Sequence, residues 1–302
     1  MYFIKYLSLD IKLNWSIIDG AKRLFEPLLN MDKDKMDFTD ELSKSFELEN
    51  SNLTQNIVSN LIKYDGTSIE DMFRILTENK LPFKRAERVY VKNTFGDILH
   101  IGLPQSKINY TQLQTWYDTF MTWKFNTPVE KSFCGFLLYL LYVRIHPHID
   151  GNGRTGRYLF LENKLLEGTE NYFPLSSILQ SRIFIDIYDE MNSIFKLMDI
   201  TDKSANPEDY FKLTLPDKYV KRMLHIMYCS ILYKHLKVND IKQCQEYEEW
   251  DSFGEMICKY KSPFAGHTFI ESDETVVTKM KEFLKKYVDL DKHVKVLKVL
   301  NI

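Results

Sequence analysis

The sequence predicts a mostly α-helical fold, and three observations support that prediction. Apolar residues recur at helical spacing through residues 15–28, 38–62 and 111–125. The alternation of apolar and polar residues that is typical of strands is confined to residues 88–102. The chain has 302 residues, of which 44% are hydrophobic and 27% charged, so its composition is that of a globular protein with a sizeable core.

The helices before residue 126 differ in how clearly the sequence marks their ends. Pro27 is expected to end or kink the first helix near Glu26, because proline cannot continue the backbone hydrogen bonds. Polar residues at 50–52 interrupt the second segment, so residues 38–62 are expected to form one or two helices. The aromatic stripe on residues 111–125 is typical of a helix that packs into a core.

Between these helical segments the sequence predicts one β-hairpin. Two short alternating runs, at residues 88–92 and 98–102, flank a turn that contains Gly96 and Asp97. Taken alone, this pattern indicates no more than a hairpin on the protein surface.

The clearest helix start in the chain lies at Thr127. This residue can cap a helix, Pro128 suits its first position, and Glu130 completes a capping box. The helix is expected to end before Pro147, because the residue before a proline avoids helical geometry. That end places His146 at the C-terminus of the helix.

Further helices are predicted towards the C-terminus. One begins near Gly153 and stops at Gly168. In the last third of the chain, residues 221–236 and 275–288 have the spacing of amphipathic helices. We therefore divide the chain into an N-terminal helical region (1–80), a core (81–205) and a C-terminal helical extension of unknown role (206–302).

The most informative stretch of the sequence is HPHIDGNGRTGR, at residues 146–157. Its glycines let backbone N–H groups approach phosphate oxygens, and Asp150 is a hard oxygen ligand suited to Mg²⁺. Arg154 and Arg157 lie three residues apart, on one helix face, and can fork onto phosphate oxygens. His146 is the natural general base near neutral pH. Such a set can handle a polyphosphate and a metal ion in one place.

Three other interpretations of this stretch stay open. Residues 151–156 also fit the dinucleotide pattern G-x-G-x-x-G, but a strand should precede that pattern and residues 133–145 have helical spacing. His146, His148 and Asp150 could form a metal cluster, although such sites draw further ligands from strands that this sequence does not predict. The third interpretation is a plain turn between two helices, which leaves the arginines and the Gly-Asn-Gly unexplained.

The stretch resembles the signature of the Fic family, His-x-Phe-x-Asp/Glu-Gly-Asn-Gly-Arg-x-x-Arg. His148 stands where the family has Phe, a departure that touches packing more than chemistry. The resemblance covers roughly residues 38–200, and it implies a Fic-type helical bundle with a short β-hairpin flap. The matching positions are His146, Asp150, Gly151, Asn152, Gly153, Arg154 and Arg157.

The resemblance implies an enzyme that transfers AMP from ATP to a Ser, Thr or Tyr hydroxyl of a target protein. His146 would take the proton of the hydroxyl, and Asp150 would hold Mg²⁺ on the phosphates. The turn at residues 151–153 and Arg154 would hold the α- and β-phosphates, and Arg157 would hold the γ-phosphate. ATP is then the co-substrate and Mg²⁺ the cofactor.

A second stretch, SFELEN at residues 45–50, is similar to the inhibitory motif of Fic proteins, Ser/Thr-x-x-x-Glu-Gly/Asn, which ends here in Asn50. Ser45 and Glu49 lie at i and i+4, on one face of the predicted helix. The resemblance implies that Glu49 pairs with Arg157 and obstructs the place of the γ-phosphate. The plain alternative is a solvated acidic helix face.

The resemblance also gives the hairpin at residues 88–102 a role. Fic proteins carry a hairpin flap upstream of the motif, which aligns the target side chain with the nucleotide. Because an exposed hairpin edge can accept a partner strand, this hairpin is expected to dock an extended segment of the target protein. Self-modification and a homo-oligomer stay open as well.

Two other functions stay open beside AMP transfer. Some Fic relatives transfer other phosphate-containing groups or remove AMP from a modified protein, in which case Glu49 and His146 would act together. The non-enzymatic alternative is a nucleotide-sensing regulatory module, whose site Glu49 would hold shut.

The net charge and the absence of targeting signals limit which partners and which cellular location the sequence predicts. The formal net charge of −2 gives no sign of nucleic-acid binding. The longest apolar run, residues 136–143, is too short for a membrane span, and the N-terminus lacks a standard secretory signal. The four cysteines have no C-x-x-C spacing, as expected for a reduced, cytoplasmic chain. Export by a dedicated secretion system stays open.

Overall fold

The computed structural model describes residues 2–29, 38–92, 96, 98–162, 174–180, 211–238 and 278. These residues are mostly helical, which confirms the prediction of a mostly α-helical fold. The helices are α1 (Tyr2–Tyr6), α2 (Trp15–Leu29), α3 (Phe38–Glu47), α4 (Gln55–Lys63), α5 (Ile69–Leu76), α6 (Tyr110–Thr122), α7 (Pro128–Ile145), α8 (Asn152–Arg157), α9 (Leu175–Gln180) and α10 (Asp217–Val238). The strands are β1 (Asp10–Lys12), β2 (Tyr90–Lys92), β3 (Ile98–Ile101) and β4 (Lys212–Thr214).

Two strand pairs accompany the helices in the described residues. β2 and β3 are antiparallel, with Tyr90 opposite Ile101 and a register shift between Val91 and Lys92. The predicted hairpin is therefore present as a strand pair. β1 and β4 are parallel, with Asp10 opposite Lys212, although about two hundred residues separate them in the chain. The sequence analysis did not predict this second pair.

The centre of the molecule is α7, whose side chains are buried on nearly every face. A helix that is apolar all round is expected to lie inside the core, and α7 packs against α2, α8 and α10. Thr127 caps it by accepting a hydrogen bond from the Glu130 N–H, and Pro128 occupies its first turn. The Glu130 carboxylate accepts from the Asn126 N–H instead of closing a capping box on Thr127.

The segment after α7 turns sharply before α8 begins. Gly151, just before α8, has a positive φ of 78°, which glycine adopts without steric cost. After α8 the chain continues as a π-helix, Tyr158–Glu162, which packs closely against α7. A Cβ added at Gly135 of α7 would lie 2.4 Å from the Phe160 carbonyl oxygen, so this glycine permits the close approach.

Two predicted helix ends differ from the structure. The helix predicted to end or kink near Glu26 continues through Pro27 to Leu29, so the predicted end is wrong. Its packing against α7 and α10 compensates for the hydrogen bond that proline removes. The helix predicted over residues 111–125 ends at Thr122, with Trp123 as its C-terminal cap. The interruption predicted at residues 50–52 is present between α3 and α4.

The described part of the C-terminal third packs on the rest of the chain. β4 pairs with β1, and α10 packs against α2 and α9, so buried residues such as Met223 and Leu224 belong to the main core. The amphipathic helix predicted at residues 221–236 lies within α10. The helix predicted at 275–288 lies, apart from Thr278, outside the described residues, as does the end of the helix predicted to stop at Gly168. The division into three regions stays a prediction.

Among the helices described, none combines the length and the apolar character that a membrane crossing requires.

Candidate functional site

His146 lies at the C-terminal cap of α7, with its backbone in the left-handed region at φ 53° and ψ 61°. Its Nδ1 lies 3.3 Å from the Val143 carbonyl oxygen and donates to it. The pKa of His146 is lowered to about 4, mainly by burial and then by the neighbouring His100 and Arg85, while the hydrogen bond to the Val143 carbonyl and the charge of Asp150 oppose this shift. The imidazole is therefore neutral at neutral pH, and Nε2 is the nitrogen that can accept a proton.

The hairpin lies directly beside this histidine. The His100 ring is 5.8 Å from the His146 ring, and its Nε2 donates to the Arg144 carbonyl at 2.8 Å. The Leu103 N–H donates to the Ile145 carbonyl at 3.1 Å. A Cβ added at Gly102 would lie 3.0 Å from the Cβ of His146, so glycine lets the strand end approach the helix cap. The end of β3 and the end of α7 thus meet at the candidate base.

His148 is completely buried and makes polar contacts on both sides of its ring. The Tyr142 hydroxyl donates to its Nε2 at 2.5 Å, and its Nδ1 donates to the Phe83 carbonyl at 2.6 Å. The ring stacks on Phe73 with centroids 4.0 Å apart. Burial lowers the pKa of His148 to about 3, so the ring is neutral. This residue ties the loop to the core, as a packing position should.

Asn152 and Asp150 shape the turn between His148 and α8. Asn152 makes a reciprocal pair with the His148 backbone, accepting from its N–H at 2.9 Å and donating to its carbonyl at 2.9 Å. Asp150 accepts from the Gly151 N–H at 2.7 Å, and its other oxygen lies 3.6 Å from Nη2 of Arg154. The Asp150 side chain is 66% exposed, so the carboxylate stays open to ligands from solvent.

Arg154 is held by the chain segment that follows α3. Its backbone N–H donates to Oε1 of Glu49 at 2.5 Å, and its Nη1 donates to the Ser51 hydroxyl at 2.6 Å. Its Nε lies 3.6 Å from Oε2 of Glu49. Both of these atoms are buried and without a hydrogen-bond partner in the described part of the chain. Glu49 therefore fits this position only partly.

Arg157 is buried and contacts α3 at several points. Its Nε donates to the Ser45 hydroxyl at 2.9 Å, and its Nη2 donates to the Ser45 carbonyl at 2.8 Å and to Oε1 of Glu49 at 3.1 Å. The pairing predicted between Glu49 and Arg157 is thus present. Burial alone would lower the pKa of this guanidinium, but Tyr139, Glu49 and Glu162 raise it above its ordinary value. The group stays charged.

Gly153 provides the space that Glu49 occupies. A Cβ added at this glycine would lie 2.3 Å from Oε1 of Glu49 and 2.8 Å from Nη1 of Arg157. Any side chain at this position would displace the carboxylate. We call the turn at residues 151–153, together with Arg154 and Arg157, the anion cradle. In this structure the Glu49 carboxylate is the anion that it holds.

The residues predicted as inhibitory all lie at the end of α3. Ser45 is in the last turns of the helix and completely buried, whereas Glu49 lies two residues beyond its end. Asn50 has a positive φ of 51°, a conformation that asparagine and glycine tolerate best. That conformation ends the helix and leaves Glu49 directed at the cradle. The sequence analysis placed both Ser45 and Glu49 on a helix face, which holds for Ser45 only.

Two side chains that hold the candidate base were not predicted from the sequence. Arg85 is 2% exposed, and its Nε donates to the His146 carbonyl at 2.8 Å. The Tyr110 hydroxyl donates to the Pro147 carbonyl at 2.8 Å. In the sequence, Arg85 stands in a charged segment that is typical of a solvent-exposed loop, so no local signal marks it.

A buried carboxylate pair was also missed. Glu41 of α3 accepts from the Ser176 N–H at 2.7 Å and from the Ser177 N–H at 3.1 Å, so it caps α9. Glu162 accepts from the Ser176 hydroxyl at 2.7 Å. Burial and the nearby Glu41 raise the pKa of Glu162 above its ordinary value. The pair joins α3 to the core behind the cradle.

Comparisons with known proteins add no family assignment. No protein-family model matches this chain, and no curated protein matches it significantly. The functional interpretation consequently depends on the motif residues and on the geometry described above.

Proposed function

We propose that the chain is a Fic-type protein adenylyltransferase, which transfers AMP from ATP to a Ser, Thr or Tyr hydroxyl of a target protein. One observation carries the proposal: a carboxylate occupies the anion cradle. Oε1 of Glu49 accepts from the Arg154 N–H and from the Arg157 guanidinium, at a position that only a glycine leaves open. Its oxygens stand in for those of a phosphate, which needs the same donors.

The chemistry proposed for the base follows from its surroundings. Neutral His146 accepts the proton of the target hydroxyl at Nε2, while the hydroxyl oxygen attacks the α-phosphorus and pyrophosphate leaves with the broken P–O bond. A pKa of about 4 is low for this role. A polyphosphate bound nearby adds negative charge, which raises the pKa of a histidine, so nucleotide binding itself would tune the base.

The cradle supplies the charge stabilisation in this proposal. The turn at residues 151–153 and Arg154 hold the α- and β-phosphates, and Arg157 holds the γ-phosphate. Glu49 must leave before the γ-phosphate can bind, because both need the Arg157 guanidinium. The loose fit of Glu49 supports such an exchange, since its Oε2 and the Arg154 Nε are both without a hydrogen-bond partner in the described residues. A nucleotide offers more oxygens than one carboxylate.

Asp150 is the residue proposed to hold Mg²⁺. Magnesium usually binds through one or two carboxylates together with phosphate oxygens. Asp150 fits this role because its carboxylate is exposed and lies 3.6 Å from Arg154 of the cradle. When bound, the ion neutralises charge on the phosphates. Within the described residues, no group of three or more His, Cys, Asp or Glu side chains is placed to hold a metal ion.

The hairpin is proposed as the flap that docks the target. Its strand β3 runs to the residues beside His146, and Tyr90 and Ile98 each expose 39% of their surface. An extended target segment that pairs with this hairpin would place its hydroxyl near the base. The same position is available for a segment of a second copy of this chain, which would give self-modification.

The variant Glu49→Gly tests the proposal, with Glu47→Gly as the matched control. Glu47 is an exposed residue that pairs with Lys44 on the outer side of α3. Each protein is incubated with Mg²⁺, a cytosolic extract as a source of targets, and ATP labelled on either the α- or the γ-phosphate. We expect Glu49→Gly to transfer the α-label on the order of ten- to a hundredfold faster than the parent, because a charged hydrogen bond no longer competes with ATP. The γ-label should not be transferred.

The other outcomes distinguish the alternatives. Transfer of the γ-label would indicate kinase chemistry. Tight ATP binding without any label transfer would favour the nucleotide-sensing module. If Glu49→Gly instead stops the removal of AMP from a modified protein, Glu49 is a catalytic residue of AMP hydrolysis. Equal transfer by the parent, Glu47→Gly and Glu49→Gly would show that Glu49 has no inhibitory role.

A further inference from the structure

Arg85 makes an unusual set of contacts for a buried arginine. Its Nε donates to the His146 carbonyl at 2.8 Å, while Nη1 donates to the Glu87 carbonyl and Nη2 to the Leu103 carbonyl. These carbonyls belong to the loop, to the segment before β2 and to the segment after β3. One guanidinium therefore joins the base of the hairpin to the backbone of the candidate general base.

The backbone of His146, which Arg85 contacts, has an unfavourable conformation. His146 has a positive φ of 53°, and a non-glycine residue keeps such a conformation only where its surroundings determine it. The Tyr110 hydroxyl holds the next carbonyl, that of Pro147, at 2.8 Å. Two consecutive carbonyls of the loop are thus fixed by donors from other parts of the fold. A planar guanidinium can serve several carbonyls at once, whereas a lysine ammonium is a single point of charge.

We infer that Arg85, assisted by Tyr110, is a positioning residue that fixes the orientation of His146 relative to the anion cradle and to the hairpin. The inference rests on the proposed function, because it assigns the orientation of the base in that reaction. Neither side chain is placed among the groups that touch ATP or the target hydroxyl. Both act through the backbone of the loop.

The charge of Arg85 affects a measurable quantity, the pKa of His146, which loss of packing alone would not change in the same way. Burial, His100 and Arg85 lower the pKa of His146, whereas the hydrogen bond to the Val143 carbonyl and the charge of Asp150 raise it. Loss of the Arg85 cation should raise the pKa of His146, and a lysine at this position should restore part of the effect. A mere loss of packing would not distinguish lysine from a neutral side chain in this way.

The experiment compares Arg85→Met, Arg85→Lys and Tyr110→Phe, each combined with Glu49→Gly, with Arg88→Met as the matched control. Arg88 donates to the Gly102 carbonyl in the same hairpin but not to His146. We expect Arg85→Met to lower kcat about 100-fold with little change in the KM for ATP, because a base misplaced by 1 Å costs about that factor. NMR titration should show a raised pKa of His146.

The remaining variants complete the test. Arg85→Lys should return the pKa of His146 towards the parent value but should restore only part of the lost kcat. Tyr110→Phe should lower kcat less than Arg85→Met does.

Equal kcat and equal His146 pKa in Arg85→Met and Arg88→Met would overturn the inference. If Arg85→Met does not fold, unchanged kcat in both Arg85→Lys and Tyr110→Phe overturns it. If Glu49→Gly itself transfers no label, the proposed function fails, whereas a raised His146 pKa in Arg85→Met still supports positioning by Arg85 and an unchanged pKa refutes it.

Discussion

The two ends of the loop at residues 146–157 are held by different kinds of contact. At the His146 end, Arg85 donates to the His146 carbonyl and Tyr110 to the Pro147 carbonyl, so both contacts hold the backbone of the loop. At the Arg157 end, Ser45 and Glu49 accept hydrogen bonds from the Arg157 guanidinium, a group that would also bind a phosphate. The contacts at the first end belong to the fold and fix that end, whereas the proposed function makes the contacts at the second end exchangeable with a nucleotide. Under that proposal the protein can keep its base in place while access to the phosphate site changes.

The largest effect is expected at the fixed end. His146→Ala, combined with Glu49→Gly, should reduce transfer of the α-label by about 10²- to 10⁴-fold, because the proposed general base is lost. ATP affinity, measured by isothermal titration calorimetry, should stay close to that of Glu49→Gly alone, since the contacts of the imidazole in the described part of the chain are with Val143 and His100 and not with the cradle. Substantial activity in the double variant would refute the role of His146.

A smaller effect is expected from the loss of Asp150, in the turn between the two ends of the loop. Asp150→Ala should weaken Mg²⁺-dependent ATP binding by on the order of tenfold, because the exposed carboxylate of the loop is removed. Calorimetric titration of ATP with Mg²⁺ and with EDTA measures this effect. Asp65→Ala, at an exposed aspartate between α4 and α5, serves as the control. A parent protein that binds ATP equally well in both conditions would exclude this role of Asp150.

His148 allows a test of the fixed end that depends on stability instead of activity. His148→Phe leaves the Tyr142 hydroxyl and the Phe83 carbonyl without their partner, which should cost about 1–3 kcal/mol of unfolding free energy at neutral pH. The folded pKa of His148 is about 3 and the ordinary value is 6.5, so between these pH values only the unfolded chain binds the proton. In the parent, stability therefore falls as the pH falls through this window, by about 1.4 kcal/mol per pH unit for this group.

In His148→Phe this contribution disappears, so the decrease in stability between pH 6.5 and 4 should be smaller than in the parent. Urea denaturation at several pH values measures it. The slope that remains includes His146, whose lowered pKa has the same sign. Equal slopes in the two proteins would contradict a neutral, buried His148.

The smallest effect is expected from Ser45→Ala. This change removes the hydroxyl that accepts from Nε of Arg157 but leaves the Ser45 carbonyl and Glu49 in contact with the arginine. Loss of one such hydrogen bond, worth about 1 kcal/mol, should raise label transfer roughly fivefold. Ser43→Ala is the matched control, because Ser43 donates to Glu47 on the outer side of α3. Identical rates for the two variants would remove Ser45 from the inhibitory contact.

The parts of the structure that the sequence predicted are those that local signals determine. Thr127 and Pro128 mark the start of α7, and Pro147 sets its end, because caps and prolines act over a few residues. The contact between Glu49 and Arg157 followed from a motif resemblance. Its function stays a prediction.

What the sequence did not predict depends on contacts between distant segments. Arg85 reaches a carbonyl 61 residues away, and Glu41 caps a helix more than 130 residues away. The pairing of β1 with β4 and the continuation of α2 through Pro27 likewise require partners that no local pattern specifies. Such contacts are set by tertiary packing, which overrides the propensities of short segments.

Gly153 has a consequence for how this protein can fail. The bare Cα that admits the Glu49 carboxylate is the same surface that a phosphate would have to approach. Under the proposed function, a side chain at this position would exclude both the Glu49 carboxylate and the nucleotide, so a change at Gly153 is expected to give an inactive protein and not an unregulated one. On the same proposal, unregulated activity would require changes in α3 or in the residues just after it, outside the loop at residues 146–157. Loss of regulation and loss of activity would then arise from different segments of the chain.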